Sequence, residues 1–128
     1  MRKAEELPSD MAWLFIGPLQ TNKARALSGV PNLALVKSVD HAKVATALNC
    51  AVAGGVGGLT DPLFVILQFN TSREDSKSGC KPGETAAVAT LVLSECEHLC
   101  VISLMTIGAP DLSDEPAAFL ALAAERDA

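Results

Sequence analysis

Apolar residues fall into two alternating patterns along this chain. Short unbroken apolar runs stopped by glycine or proline predict strands, and apolar positions recurring every three or four residues predict helices. Ala12-Trp13-Leu14-Phe15-Ile16, ended by Gly17-Pro18, reads as a buried strand. Asn22 to Ser28 predicts a short helix closed by Gly29 and Pro31. Leu33 to Val39 is the second strand. Asp40 is placed to cap a helix whose Val44, Ala45, Leu48 and Val52 follow the 3.6-residue period. Gly54 to Gly58 reads as a flexible surface linker, and Asp61-Pro62 leads into a third strand, Leu63 to Phe69. After a polar loop, a third helix is expected from about Pro82 to Cys96, with Val88, Leu91, Val92 and Cys96 on one face. Leu99 to Thr106 is the fourth strand, and Ser113 is placed to cap a last helix carrying Phe119, Leu122 and Ala123.

Strand followed by helix, four times over, predicts an α/β protein with parallel strands and right-handed crossovers. The strands are apolar on both faces, as expected when helices cover one side and a core fills the other. Alternation alone leaves a doubly wound sheet and a barrel both open. A full (β/α)₈ barrel needs on the order of 250 residues, and the whole chain of 128 is expected to form a single domain.

Composition narrows the partners. The hydrophobic share is 49% and the charged share 20%, a globular balance. A net charge of −5 argues against a nucleic-acid partner, which needs a clustered basic face. No apolar run is long enough for a membrane span, and the Met1-Arg2-Lys3-Ala4-Glu5-Glu6 start lacks the apolar region of a secretory signal. A cytoplasmic chain is expected, with a mitochondrial address also compatible. Cys50, Cys80, Cys96 and Cys100 then read as reduced thiols packed as small hydrophobes. Cys96-Glu97-His98-Leu99-Cys100 does not have standard zinc spacing and lacks a second ligand pair.

In α/β folds, binding groups collect at the carboxyl ends of strands. That rule selects Ser38, Gln68, Asn70 and Met105. It sets aside the glycines at 54–58, which precede a strand and lack dinucleotide-fingerprint spacing. Under strand alternation, Gln68 and Asn70 share a face with Ile66, while Val65, Leu67 and Phe69 point the other way. Two buried amides there need partners, which a ligand, neighbouring side chains or water can supply. Lys77 reads as solvated surface charge, and His41 and His98 as ordinary helix-flanking residues. The chain has no G-x-S-x-G elbow, P-loop or H-E-x-x-H.

Four ordered segments together resemble the pyridoxal phosphate homeostasis family, a relative of the alanine racemase N-terminal barrel. Trp13-Leu14-Phe15-Ile16-Gly17-Pro18-Leu19-Gln20-Thr21-Asn22-Lys23 is similar to that family's W-H-F-I-G-x-L-Q-x-N-K segment. Lys37-Ser38-Val39-Asp40 is similar to its S-V-D strand end. Val65 to Ser72, continuing to Lys77-Ser78-Gly79, resembles V-x-I-Q-x-N-x-S-x-E-x-x-K-x-G, and Ser103 to Gly108 resembles G-L-M-T-I-G. The resemblance covers about residues 11 to 124.

It implies a partial (β/α)₈ TIM-type barrel of four consecutive βα units, matching the family's third to sixth strands. It also implies a role in intracellular homeostasis of pyridoxal 5′-phosphate (PLP), without catalytic turnover. Ser38, Asn70 and Met105 inherit places near the cofactor ring. The family's imine lysine, in an A-V-S-K-like motif, does not occur in these residues, nor do its phosphate-holding S-M-G-M-S and R-I-G segments. Leu14 replaces the family histidine and Ser103 a family glycine. Lys37 echoes the lysine motif, but alternation with Ser38 keeps both from facing the barrel interior. Two other readings stand beside this one: a PLP-dependent racemase- or decarboxylase-like enzyme fragment, and a non-binding module that self-associates through unpaired edge strands.

Overall fold

Each strand of the protein pairs with the next one in sequence. In the computed structural model, which describes residues 4, 6–55, 57–59, 62–71, 77–108 and 115–127, β1 (Trp13–Phe15), β2 (Leu33–Val39), β3 (Leu63–Gln68) and β4 (Leu99–Met105) form one parallel sheet in the order β1-β2-β3-β4. Between and after them run α1 (Ala24–Ser28), α2 (Ala42–Ala53), α3 (Thr85–Glu95) and α4 (Glu115–Asp127). A 3₁₀ turn over Thr21–Lys23 leads into α1, so the helix expected from Asn22 is shorter and begins tighter.

The sheet's helix-facing side forms the core. Phe15, Val36, Val65 and Val101 lie abreast across the four strands, and Val36 and Val65 are fully buried. A second row joins Val39 to Leu67 and Leu67 to Leu104. Val44, Ala45, Leu48 and Val52 of α2 press onto this side, as their spacing predicts, together with Val88, Val92 and Cys96 from α3 and the turn after it. Each such aliphatic side chain contributes about 1.5–3 kcal/mol by leaving water.

The opposite face departs from expectation. Leu14, Leu35, Phe64 and Cys100 also lie abreast, but no layer among the described residues covers them. Leu14 and Ile16 are each 57% exposed, Phe64 48% and Ile102 52%. The first strand is therefore half-buried on one side and exposed on the other. Apolar residues on both faces require both to be covered, and these residues supply only one cover.

Two strands carry irregularities that simple alternation misses. Val36 sits opposite Val65 and Val39 opposite Leu67, so Lys37 and Ser38 together stand against Ile66 alone. Likewise Val101 faces Val65 and Ser103 faces Ile66, leaving Ile102 as the extra residue. Such bulges bend a strand and increase its twist, the curvature a barrel wall needs. The bulge in β2 also removes the alternation argument that kept Lys37 from the interior side.

Local signals differ in two more places. Asp40 does not cap α2: the cap position is His41, without a side-chain cap bond, and the Asp40 carboxylate lies 2.6 Å from His41 Nδ1. The glycine segment is no simple spacer. A β-carbon on Gly57 would come within 2.0 Å of the Ser28 carbonyl oxygen, so the turn before β3 rests directly on the end of α1. Ser113 lies outside the described residues.

Candidate functional site

Ser38, Gln68, Asn70 and Met105 all stand at carboxyl ends of strands, where the α/β rule places them. Gln68 is paired in register with Met105, and the Phe69 N–H donates to the Met105 carbonyl at 2.8 Å. One step further, the hydroxyls of Thr71 and Thr106 meet at 2.9 Å. The ends of β3 and β4 thus form one continuous rim, with Met105 half-buried in it.

Ser38 is spent on structure. Its hydroxyl donates to the Gly17 carbonyl at 2.6 Å and accepts from the Gly17 N–H at 3.1 Å. The side chain is 1% exposed. It ties the loop after β1 to the end of β2, so its contribution to a site is to fix that rim.

The two buried amides, one at the end of β3 and one two residues beyond it, find their partners in the loop that follows. Gln68 Nε2 donates to the Ser78 carbonyl at 3.0 Å, and Asn70 Nδ2 reaches the Lys77 carbonyl at 3.4 Å. The backbone closes the same loop: Cys80 N–H donates to Gln68 at 2.7 Å, and Asn70 N–H to Cys80 at 3.0 Å. Phe69 and Cys80 form an isolated parallel bridge. Gly79, at φ +131°, is the residue this closure requires. A β-carbon there would lie 2.7 Å from the Asn70 nitrogen, well inside contact distance, in a region of backbone space that glycine alone adopts readily.

Cys80 anchors this loop to the neighbouring unit. Its thiol donates to the Asp40 carbonyl at 3.1 Å. Burial, and then the Asp40 carboxylate, push the thiol from 9.0 up to about 11, with the Thr85 hydroxyl opposing them. It is a protonated, inert thiol at neutral pH. Sequence reasoning took Cys80 only as a small hydrophobe, and did not identify its partner; the glycine before it was the available signal. Lys77 is half-buried rather than solvated, and its carbonyl serves the loop.

No group of three or more metal-ligating side chains converges among the described residues. Cys96 is buried and Cys100 half-buried, while His98 Nε2 lies 3.4 Å from Glu97. Among these residues no helix is long and apolar enough to cross a membrane. A groove of about 760 Å³ lies away from the strand ends, between α3, β4 and α4, walled by Ala89, Leu93, Val101, Leu104, Phe119 and Leu122. Its lining is mainly apolar, with Glu125 and Arg126 also at the wall.

Comparison with known proteins decides the relationship. The mouse pyridoxal phosphate homeostasis protein is 42% identical over 109 residues, covering 84% of this chain and 39% of its own length. The human protein of that name is 38% identical over 116 residues, 89% of this chain and 42% of its own. Over that span the chain is homologous to the pyridoxal phosphate homeostasis proteins. It spans about two fifths of the length of these curated relatives. A scan of protein-family models finds no match.

Solved structures place the family's fold. A protein of unknown function from Bifidobacterium adolescentis, 30% identical, superposes with a TM-score of 0.74 over 98% of this chain and 51% of its own. PipY of Synechococcus elongatus, solved with PLP bound, gives 0.70 at 24% identity over 98% and 57%. Alanine racemase of Clostridium difficile gives 0.61 at 14% identity, over 91% of this chain and 28% of its own. The four βα units are therefore a partial (β/α)₈ barrel of the kind the family resemblance implies. The open face carrying Leu14, Phe64 and Ile102 is the barrel's interior side. The family's curated name describes homeostasis of a cofactor and names no reaction.

Proposed function

We propose that this chain, residues 1–128 acting as one unit, forms one wall of a PLP-binding barrel that serves cofactor homeostasis without turnover. The observation that carries this reading is the rim formed by Ser38, Asn70 and Met105, in a family whose structural neighbour PipY holds PLP. The side chains fit the flank of an aromatic ring better than its polar ends. Met105 offers a half-buried thioether, a good partner for a π-face. Ser38 and Asn70 use their polar atoms to hold loops. Among the described residues the rim offers neither an imine lysine nor a set of amides for a phosphate, the groups that supply most of the charge-assisted affinity. When bound, the cofactor brings an electron-withdrawing ring and an aldehyde; this chain's own residues orient the ring and shape the loops around it.

A cytoplasmic, small-molecule-binding protein with no nucleic-acid or membrane partner completes the reading, with self-association through the open sheet edges. The test is a PLP titration of the chain, followed by borohydride reduction and peptide mass mapping. The expected result is no imine absorption band and no site-specific adduct from this chain alone, with the band appearing when the remaining strands of a family member are supplied. A single modified lysine in the isolated chain, at Lys37 on the β2 bulge or at Lys77, would overturn the wall reading and assign this chain a binding site of its own. No band even with the remaining strands supplied would overturn the cofactor role.

A further inference from the structure

Two of the four cysteines are accounted for by their surroundings. Cys80 gives its thiol proton to the Asp40 carbonyl, and Cys100 lies in the row of Leu14, Leu35 and Phe64, on the side of the sheet away from the helices. The other two belong to the helix side. Cys50 is exposed in the last turn of α2, and Cys96 closes α3 and is 3% exposed. Both are free thiols.

The two helix ends are joined at this point. Asn49 Oδ1 accepts the His98 N–H at 3.0 Å, which ties the last turn of α2 to the turn after α3. That turn is tight, with the Cys96 carbonyl accepting from the Leu99 N–H at 2.9 Å. Cys50 follows Asn49 directly. Cys96 belongs to the same core cluster as Leu48, Ala51 and Val52, which stand on either side of Cys50 in α2. The electrostatics agree with this placement. Burial first, then the negative charges of Glu95 and of an ionised Cys50, push the Cys96 thiol up, and a single charge acts in this way only at short range.

We propose that Cys50 and Cys96 are a redox-sensitive clasp, a disulfide between α2 and α3 that forms when the chain meets a hydroperoxide. Cys50 reacts first, because it alone of the pair is open to solvent. Its sulfur attacks one peroxide oxygen, the O–O bond breaks, and an alcohol (water, for hydrogen peroxide) leaves with the thiol proton. Cys50 is then a sulfenic acid. The Cys96 sulfur attacks the Cys50 sulfur, the S–S bond forms and the S–O bond breaks. Hydroxide departs as water with the Cys96 proton. The two thiols together lose two electrons, and one hydroperoxide gains them. The covalent loop so closed contains all of β3 together with Gln68 and Asn70, so oxidation restrains the segment that carries both rim amides. The clasp involves neither PLP nor the open side of the sheet, and it stands apart from the reading above.

Its test exposes the reduced chain to hydrogen peroxide, blocks the remaining thiols by alkylation and maps the peptides without reductant. The expected product is one peptide pair joined through Cys50 and Cys96, two hydrogens lighter than its parts. It should form at a rate independent of protein concentration and be reversed by dithiothreitol. The oxidised chain is expected to unfold at a higher urea concentration than the reduced one, since a cross-link restricts the unfolded chain. Cys50→Ser and Cys96→Ala should each abolish both the joined pair and the urea shift, while Cys100→Ser should keep both.

Peroxide that carries Cys50 on to a sulfinic acid without a joined pair overturns the proposal. It would mean that the two Cα atoms do not come within the ~7 Å that the bond demands. A bond from Cys50 to Cys100, or between two chains, overturns it as well, and an oxidised chain that unfolds at lower urea shows a strained bond and no clasp. Should Cys96→Ala fail to fold, Cys50→Ser at the exposed end of the pair carries the same test, and the wild-type peptide map needs no variant.

Discussion

The row Phe15, Val36, Val65, Val101 and the row Leu14, Leu35, Phe64, Cys100 cross the same four strands one residue apart. Only the first is covered. Composition does not separate them, since both are apolar; what separates them is whether the described residues contain the layer that packs on top. Helices follow each strand in sequence and fold back locally, so the helix side is furnished by the chain itself. The interior side of a barrel is furnished by strands across the axis, which are distant in sequence. A hydrophobic residue in a strand therefore reports that its face must be covered, without reporting by what.

Substitutions at matched positions would sharpen or break this contrast. Leu67→Ala removes a fully buried side chain from the covered side and is expected to cost about 2–5 kcal/mol in urea unfolding. Gly79→Ala adds a β-carbon 2.7 Å from the Asn70 nitrogen at a positive φ. It is expected to cost about 1–3 kcal/mol and to loosen the loop, read as faster proteolysis there. Ser38→Ala forfeits both bonds to Gly17, at about 1–2 kcal/mol, with faster amide exchange in the β1 loop.

Cys80 adds a pH signature. Its folded thiol titrates at about 11 against 9.0 when unfolded. Below the lower value both states hold the proton and stability is unaffected. As pH rises through that window the unfolded chain releases its proton first, so stability falls until the folded thiol also ionises. Cys80→Ala should flatten that part of the pH profile relative to wild type. The smallest effect is expected from Phe64→Ala on the open face: under dilute, monomeric conditions it should change stability by less than about 1 kcal/mol. A loss comparable to that of Leu67→Ala would mean that the open face is covered within one chain, and the contrast would collapse.

Much of this arrangement was legible in the sequence. The runs around Phe15, Val36, Val65 and Val101 announced four strands because glycine or proline punctuates them and β-branched residues fill them. The spacing of Val44, Leu48 and Val52 gave the buried face of α2. The strand-end rule located Gln68 and Asn70 before their partners were known. The bulges at Lys37–Ser38 and at Ile102 were not legible, because an extra residue in a strand leaves no mark until its neighbour sets the register. Asp40 preceded a helix as a cap should, yet its carboxylate met the adjacent His41 ring instead, a competition between two local partners that spacing does not resolve. The Cys80 anchor joins loops 40 residues apart, and tertiary contacts of that kind have no periodic signature.

The sequential strand order has a consequence for synthesis. Every strand's partner is its neighbour along the chain, so ladder pairing needs no early segment to wait exposed for a late one. Each parallel pairing still waits for its crossover to close, which makes such ladders slower to form than contacts within a helix. A chain emerging from the ribosome can thus accrete unit by unit, α2 settling on β2 while β3 is still being made. Each completed unit is a template for the next, and the edge of β4 stays ready to accept one more strand.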